Sequence, residues 1–470
     1  MQLRPYQSTA LGLIQDAYRS GRKAPLLCSP TGSGKSAMTA YMLERTKKLT
    51  LYLCHRAELM DMICADLKAA GIPHGRIEPG KPVLRNSFHI FVGMMQTVSR
   101  RLDDLPAFEW IISDEAHLAM APTWLAILNR FRGAWHLGMS ATPCRLDGKG
   151  LGEFYDQIVY GPSVKELTAR GYLSPCRAFA PAQNVSSLRK RAGEFSMDEA
   201  AALLDRSSVT GDAIKEYRRH KDGRRAIVFC CTREHADHVA AQFRAEGIEA
   251  VNVDGAMTKG DRAERIGDLR SGRIEVLTNV DLLTTGFDMP SIEAGIFLRP
   301  TQSLALYLQM VGRILRIAPG KDDAVMLDHV GNVFRHGLPA DEREWTLEGR
   351  AKREGQAVSV RQCPECYAAF SPAPKCPECG YVFPVAARDT AKKQRDGDLV
   401  EVGKSDIDAR TQHLRDAPLK DLLKAAKTRD ALEEIRAARG YQHGWVQRML
   451  EFKAAARARA IGRAYEGRAA

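Results

Sequence analysis

Along the first 140 residues of this chain, short apolar runs alternate with longer stretches whose apolar positions recur every three or four residues. "PLLC", "LTLYLC", "HIFV", "WIISDE" and "WHLGMS" read as strands, and residues 57–70 carry helical spacing. Continuously apolar strands separated by amphipathic helices predict a parallel sheet covered on both faces. The rhythm then restarts. "RAIVFCC", "IEAVNV", "IEVLTN", "GIFLRP" and "AVMLDH" form a second set of strand candidates, with helix-like stretches at 232–246, 261–271 and 302–315. The pattern predicts two α/β domains, over 1–165 and 166–345, with an irregular connector at 144–210 containing the polar segment "NVSSLRKRAGEFSMDEA".

Beyond residue 340 the pattern changes. "DEREWTLEGRAKREG" is charged and linker-like, a cysteine cluster follows over 361–385, and "ARDTAKKQRDGDLVEVGKSD" is polar enough to be flexible. Helical spacing returns over 405–470 in "LKDLLKAAKTRDALEEIRAARG", and the chain closes on the basic "RMLEFKAAARARAIGRAYEGR".

Composition narrows the class. A chain of 470 residues exceeds what one core organises, and 44% hydrophobic with 27% charged residues is a soluble, globular balance. No apolar run approaches the roughly 18 residues of a membrane span, and "MQLRPYQSTA" lacks a signal peptide's apolar core. The expectation is a cytoplasmic protein with no membrane partner. Lys and Arg number 69 against 57 acids, a formal charge of +12 that favours a polyanionic partner. Of the 11 cysteines, those inside runs such as "IVFCC" read as small buried hydrophobes in a reducing compartment.

The first candidate chemistry lies in "SPTGSGKS", residues 29–36, after the apolar "APLLC". Thr31, Gly32, Ser33 and Gly34 form a turn whose backbone N–H groups, with the start of the next helix, face an anion. Lys35 would reach the β- and γ-phosphates of a nucleotide and Ser36 would ligand Mg²⁺. Ser29 stands where the usual spacing has its first glycine. The strand "WIISDEAH" ends in Asp114 and Glu115, acids placed to hold the metal and to act as base for water. "MSATP" brings Ser140 and Thr142 towards the same edge, as "TNVDLLTTGFDMP" brings Gly286 and Asp288. "QMVGRILR" sets Arg313 and Arg316 on one helix, beside Gly312. They would stabilise a transferring phosphoryl group only from across a cleft; otherwise they are surface cations paired with acids.

In order, these motifs resemble superfamily 2 helicases and translocases. "LRPYQ", "SPTGSGKS", "CHRAEL", "DEAH", "SAT", "TTGFD" and "QMVGRILR" are similar to that superfamily's motifs over about the first 335 residues. "LTTGFDMP", "LRPTQSLALYLQMVGRILRIAPGK" and "LDHVGN" look like RadD-like bacterial and phage DNA-repair helicases. The resemblance implies two tandem RecA-like parallel-sheet domains that close on ATP, with nucleic acid across their tops. By position it implies that Gln7 reads adenine, that His117, Ser140 and Thr142 couple nucleotide state to movement, and that Gly286 and Asp288 line the cleft. It further implies that Gln309 approaches the γ-phosphate, that Arg313 and Arg316 are arginine fingers, and that Arg56 and Thr97 touch the strand backbone. DNA, single-stranded or branched, is the expected partner, with RNA as the alternative for the same core and an ATP-switched DNA-binding adaptor as the non-motor reading. "DLVEVGK" has the wrong spacing for a nuclease site, so no cleavage chemistry is expected beyond residue 340.

Cys363, Cys366, Cys376 and Cys379 are spaced C-x₂-C-x₉-C-x₂-C, the form of a small four-cysteine zinc ribbon, with a redox pair as competitor. Such a segment has no core of its own, so the metal supplies its folding energy. DNA contact or docking of a protein partner are the uses open to it and to the helical, basic C-terminal segment. Tyr441 and Trp445 there mix with arginines, which suits packing for Trp445 and an electrostatic role for the arginines.

Overall fold

Seven parallel strands build the first sheet: β1 (Pro25–Cys28), β2 (Thr50–Cys54), β3 (Gly75–Ile77), β4 (Ile90–Met94), β5 (Trp110–Asp114), β6 (Trp135–Ser140) and β7 (Gln157–Tyr160). Their order is β3-β4-β2-β5-β6-β1-β7. Helix α1 (Pro5–Arg19) precedes β1 and packs against β1 and β7, and the crossovers that parallel neighbours need run through helices α2 (Lys35–Arg45), α3 (Ala57–Ala69), α4 (Met95–Ser99) and α5 (Pro122–Arg130). Helices on both faces explain the unbroken apolar runs: consecutive residues Leu26 and Leu27 join the cores on opposite faces, and both are fully buried. Each such leucine is worth roughly 1.5–3 kcal/mol of burial. The sheet frame thereby fixes where β1, β5 and β6 end, which is where the polar motifs begin.

The structure, a computed structural model of the chain, describes residues 2–83, 87–118, 121–145, 149–180, 188–191, 194–205, 207–280, 289–349, 360–384, 411–426, 428–442, 444–450 and 452. Gly286 and Asp288 lie outside the described residues.

The second sheet runs β12 (Ala250–Val253), β13 (Val276–Asn279), β11 (Ala226–Phe229), β14 (Ala294–Phe297), β15 (Ala324–Asp328) and β8 (Cys176–Phe179), all parallel. Around it lie α7 (Met197–Leu204), α8 (Ser207–Lys221), α9 (Arg233–Ala245), α10 (Lys259–Ser271), α11 (Leu304–Ile314) and α12 (Asn332–His336). Two RecA-like parallel-sheet domains are therefore present. The connector is more ordered than its polar sequence predicts. It holds β7 of the first sheet, α6 (Val164–Ala169), β8 of the second, and a small hairpin of β9 (Lys190–Arg191) and β10 (Glu194–Phe195). Ser163 starts α6 with a full capping box, its side chain accepting from Glu166 N while Glu166 accepts from Ser163 N.

The cysteine ribbon is not a bead on a linker. Its strands β16 (Arg361–Gln362) and β17 (Ala368–Phe370) extend the second sheet, with β17 antiparallel to β8 through Ala368↔Phe179 and Ala369↔Ala178. Cys363, Cys366 and Cys376 belong to the same apolar core as that sheet, and Arg177 bridges Asp323 of the domain to Glu378 of the ribbon.

The two sheets face one another across a cleft that several contacts span. Glu58 on α3 pairs with Arg262 on α10 at 2.7 Å. Residues 345–349 return from the second domain to the first, where Tyr160 Oη donates to Trp345 O and Gly152 N donates to Leu347 O at 2.8 Å.

Beyond Pro384, the described residues form a separate compact unit. Helices Leu419–Ala425 and Arg429–Arg439 pack Leu422, Ala426, Leu432, Ile435 and Val446 into a core of its own. Trp445 is partly buried against that core, 4.8 Å from the Tyr441 ring, so the aromatic pair packs rather than standing free. Among the described residues no helix is long and apolar enough to cross a membrane.

Candidate nucleotide site between the two sheets

The turn after β1 is braced from within. Ser29 and Ser33 are both fully buried, and Ser29 Oγ donates to Ser33 Oγ at 2.8 Å. The residue that departs from the usual spacing thus supplies a hydroxyl brace. Tyr6 Oη and Gln7 Nε2, both on α1, donate to Ser33 O at 2.9 and 3.1 Å. Gln7 is completed by Arg4 N, which donates to its Oε1 at 2.9 Å, so this amide is spent on the loop rather than facing the cavity. Gly34 opens α2 at φ +80°, and a side chain there would put its Cβ 2.3 Å from Gln7 Nε2. Lys35 Nζ folds back onto Ser29 O at 2.9 Å and Pro30 O at 3.2 Å. Burial lowers its pKa, while Glu115 and Asp114 pull the other way.

The acids stand two strands away, at the end of β5. Tyr52 Oη on the neighbouring β2 donates to Asp114 Oδ2 at 2.9 Å. Burial beside Glu115 raises the Asp114 carboxyl to about 6. For Glu115 burial also pushes upward, but His117 and the Lys35 ammonium outweigh it and hold that carboxyl down, at about 2. Glu115 adopts φ +51°, a left-handed conformation that costs a non-glycine residue energy and is held only where its surroundings over-determine it. His117 Nδ1 does part of that, lying 3.3 Å from Glu115 Oε2 and 3.3 Å from Ser140 Oγ. Ser140 Oγ in turn donates to Thr142 O at 2.9 Å and accepts from Thr142 N at 3.1 Å. A continuous chain therefore joins the acid pair to the turn after β6.

The second domain enters through α11. A Cβ on Gly312 would lie 2.5 Å from Thr31 Cβ, so only glycine lets this helix rest on the phosphate loop. Ser303 caps the helix start by accepting from Leu306 N. The helix ends sooner than its sequence suggests: Arg313 is in its last turn, while Arg316 lies two residues beyond its end at Ile314, and both line with Lys35, Ser36, Asp114 and Glu115 one cavity of about 750 Å³. Burial lowers both guanidinium pKa values to about 10, and Glu115 partly offsets this for Arg313. These arginines belong to the cleft, which removes the surface-helix alternative. Thr31, Gly32 and Gly34 line the same cavity, and the Ser36 hydroxyl with the Asp114 carboxylate is a hard-oxygen set that suits Mg²⁺ on a nucleotide.

Other expected residues sit elsewhere. Gln309 is buried one turn before Arg313, outside the cavity wall, and Ser33, His117, Ser140 and Thr142 stand behind it. Arg56 stands at the start of α3 outside the cavity lining, and Thr97 is buried on α4. Sequence reading missed Arg4 and Tyr172, which line the cavity with the guanidinium 4.7 Å over the ring, and it missed Tyr52. A tyrosine two positions before the end of a buried strand was the available signal for Tyr52.

In the ribbon the four sulfurs lie within 4.8 Å of one another, with Cys363–Cys379 at 3.5 Å and Cys366–Cys376 at 3.7 Å. Four thiolates about 2.3 Å from one zinc would be spaced about 3.8 Å apart, so the set fits the metal.

Comparison with known proteins agrees with this geometry. A family model described as type III restriction enzyme, res subunit, matches residues 1–145, and one described as helicase conserved C-terminal domain matches 210–318. A 51.5 kDa protein of a Lactococcus phage is 35% identical over 372 residues, covering 77% of this chain and 78% of that protein. A Saccharomyces cerevisiae protein named as the ATP-dependent helicase IRC3 is 27% identical over 355 residues; the match covers 70% of this chain and 51% of that longer one. A fragment of an HsdR subunit of a type I restriction enzyme from Vibrio vulnificus shares the fold, with a TM-score of 0.56 at 22% identity over 74% of this chain and 69% of that one. With these matches spanning both domains whose cleft brings together the phosphate loop, the acid strand and the two arginines, the chain belongs to the superfamily 2 helicases of the DEAD/DEAH type, ATP-dependent enzymes.

Proposed function

We propose that the chain is a DNA-dependent ATPase, a helicase or translocase that hydrolyses ATP between its two RecA-like domains to move on or remodel DNA in repair, recombination or replication. The observation that carries this reading is that Arg313 of one domain and Glu115 of the other line a single cavity with Lys35. A site split across two domains makes turnover depend on closure, and closure is what nucleic acid along both domain tops would favour.

Roles follow from position. The loop N–H groups and Lys35 hold the phosphates, with Lys35 exchanging its carbonyl partners for the β- and γ-oxygens. Mg²⁺, held by Ser36 and Asp114, would neutralise charge on those oxygens. Glu115, ionised at neutral pH because His117 and Lys35 hold its carboxyl down, takes the proton from the attacking water. Arg313 and Arg316 meet the charge that develops on the transferring phosphoryl group. His117, Ser140 and Thr142 relay the state of Glu115 to the turn after β6. Gly286 and Asp288 complete the cleft in this reading, Gln7 reads adenine by exchanging its hold on Ser33 O, Gln309 approaches the γ-phosphate from behind the cavity wall, and Arg56 and Thr97 serve the strand backbone.

DNA is preferred to RNA because the first domain matches a restriction-enzyme family and because the RadD-like segments point to DNA repair. The ribbon cysteines hold structural zinc, which leaves the ribbon and the C-terminal helices for DNA contact or for docking a protein partner. Turnover measured with single-stranded DNA, duplex, forked DNA and RNA tests the reading. Stimulation by DNA, strongest for single-stranded or branched forms, is expected. Stimulation by RNA alone would reassign the substrate, and no stimulation by any nucleic acid would sink the motor.

A further inference from the structure

Lys321 is a buried cation that the chemistry above does not use. It follows α11 in "RIAPGK", and only 9% of it is exposed. Its Nζ donates to Ile292 O, Ile314 O and Arg316 O at 2.6 Å each and reaches Pro290 O at 3.3 Å. No carboxylate among the described residues lies within ion-pair distance of it. Four main-chain carbonyls take the place of a counter-ion. Ile314 is the last residue of α11, where helix carbonyls lack helical partners and the dipole is negative, and Arg316 lies two residues beyond it in the segment that leaves the helix. The other two belong to the segment just after residues 281–288. Pro290 and Arg316 both line the nucleotide cavity. A second residue pins the same place: Ser174 Oγ donates to Arg316 O at 3.2 Å, and Ser174 N donates to Leu315 O at 2.7 Å.

An ammonium desolvated to this degree is costly unless its surroundings need it, and burial lowers its pKa to about 8. A plain helix cap needs one or two of these carbonyls. This cage instead joins two segments that both reach the cavity wall. We propose that Lys321 is a positioning residue for ATP turnover: its ammonium ties the backbone at 290–292 to the end of α11 and so fixes the Arg316 guanidinium against the transferring phosphate.

The inference rests on the proposed ATPase reading, and wild-type turnover checks that reading separately. Lys321→Met should lower kcat about 10- to 100-fold with KM for ATP changed less than about threefold, the scale expected when a catalytic group is misplaced by an ångström or so. Ser174→Ala, which leaves the cage intact, should lower kcat by roughly threefold in the same sense. The decisive comparison is with Arg316→Ala: if Lys321 and Ser174 act through Arg316, adding either substitution to Arg316→Ala should cost little more turnover. Thermal midpoints of all variants report folding, and Ser174→Ala keeps the test open if Lys321→Met does not fold. The proposal is overturned if Lys321→Met lowers only the thermal midpoint, or if its cost multiplies with that of Arg316→Ala.

Discussion

The two halves of the nucleotide site are held by different kinds of force. In the first domain, side chains from the strand ends and α1 do the holding: Ser29 braces Ser33, Tyr52 orients Asp114, and His117 joins Glu115 to Ser140, while Tyr6, Gln7 and Lys35 donate to loop carbonyls. In the second, backbone does the holding: Gly312 rests on Thr31, and Lys321 gathers carbonyls at the end of α11. The difference teaches a division of labour. In the proposed reading the acid and phosphate residues are held by contacts within the first domain, whereas the arginines reach them through the helix that rests on the loop.

Removing the phosphate cation should have the largest effect. Lys35→Ala should abolish ATP turnover, because in the proposed reading this ammonium is the main charge facing the β/γ-phosphates. Turnover near the wild-type rate would remove the loop from the chemistry. Breaking the docking should come next. Gly312→Ala pushes a methyl group into Thr31, so kcat should fall by roughly 10²-fold while nucleotide binding, a property of the first domain, changes little. Equal losses in binding and turnover would show that the halves are not separable.

The ribbon sharpens the comparison from outside the site. Metal analysis should find about one zinc per chain in protein purified without chelator. Because β17 continues the second sheet, Cys376→Ser should lower the thermal midpoint of that domain yet leave basal turnover at low temperature within about tenfold of wild type. Turnover lost together with zinc in a folded chain would move the ribbon into the mechanism.

The smallest effect is on acid stability. Burial lowers His136 in the first domain, and His235 and His329 in the second, to about 4. The unfolded chain takes up these protons near 6.5, so between 6.5 and about 4 it binds more protons than the folded chain. Stability should therefore fall as pH drops through that window. His136→Gln should flatten the fall for the first domain alone, and an unchanged thermal midpoint from pH 6.5 to 4 would contradict burial of the neutral rings.

What the sequence disclosed divides along the same line. That the phosphate loop, Asp114 and Glu115, and the pair Arg313 and Arg316 meet at one cavity was legible because each belongs to a local motif beside an apolar run. The two-sheet fold was legible for the same reason. Tyr52 and Lys321 were not, because their roles depend on strand register and on carbonyls 29 and 31 positions away in the chain. The connector was misread because "QIVY" and "CRAF" are four-residue strands whose partners, β1 and β15, lie far off in sequence. Docking of the ribbon onto β8 left no local trace at all.

The central claim is that one site is completed by the second domain under the control of nucleic acid. Steady-state ATP turnover of wild type and Arg313→Ala, each with and without single-stranded DNA, tests it most directly. The account predicts DNA-stimulated turnover in the wild type, and in Arg313→Ala a loss of about 10³-fold in kcat, no recovery with DNA, and nearly unchanged ATP binding. An Arg313→Ala chain that DNA still stimulates to the wild-type rate would contradict it.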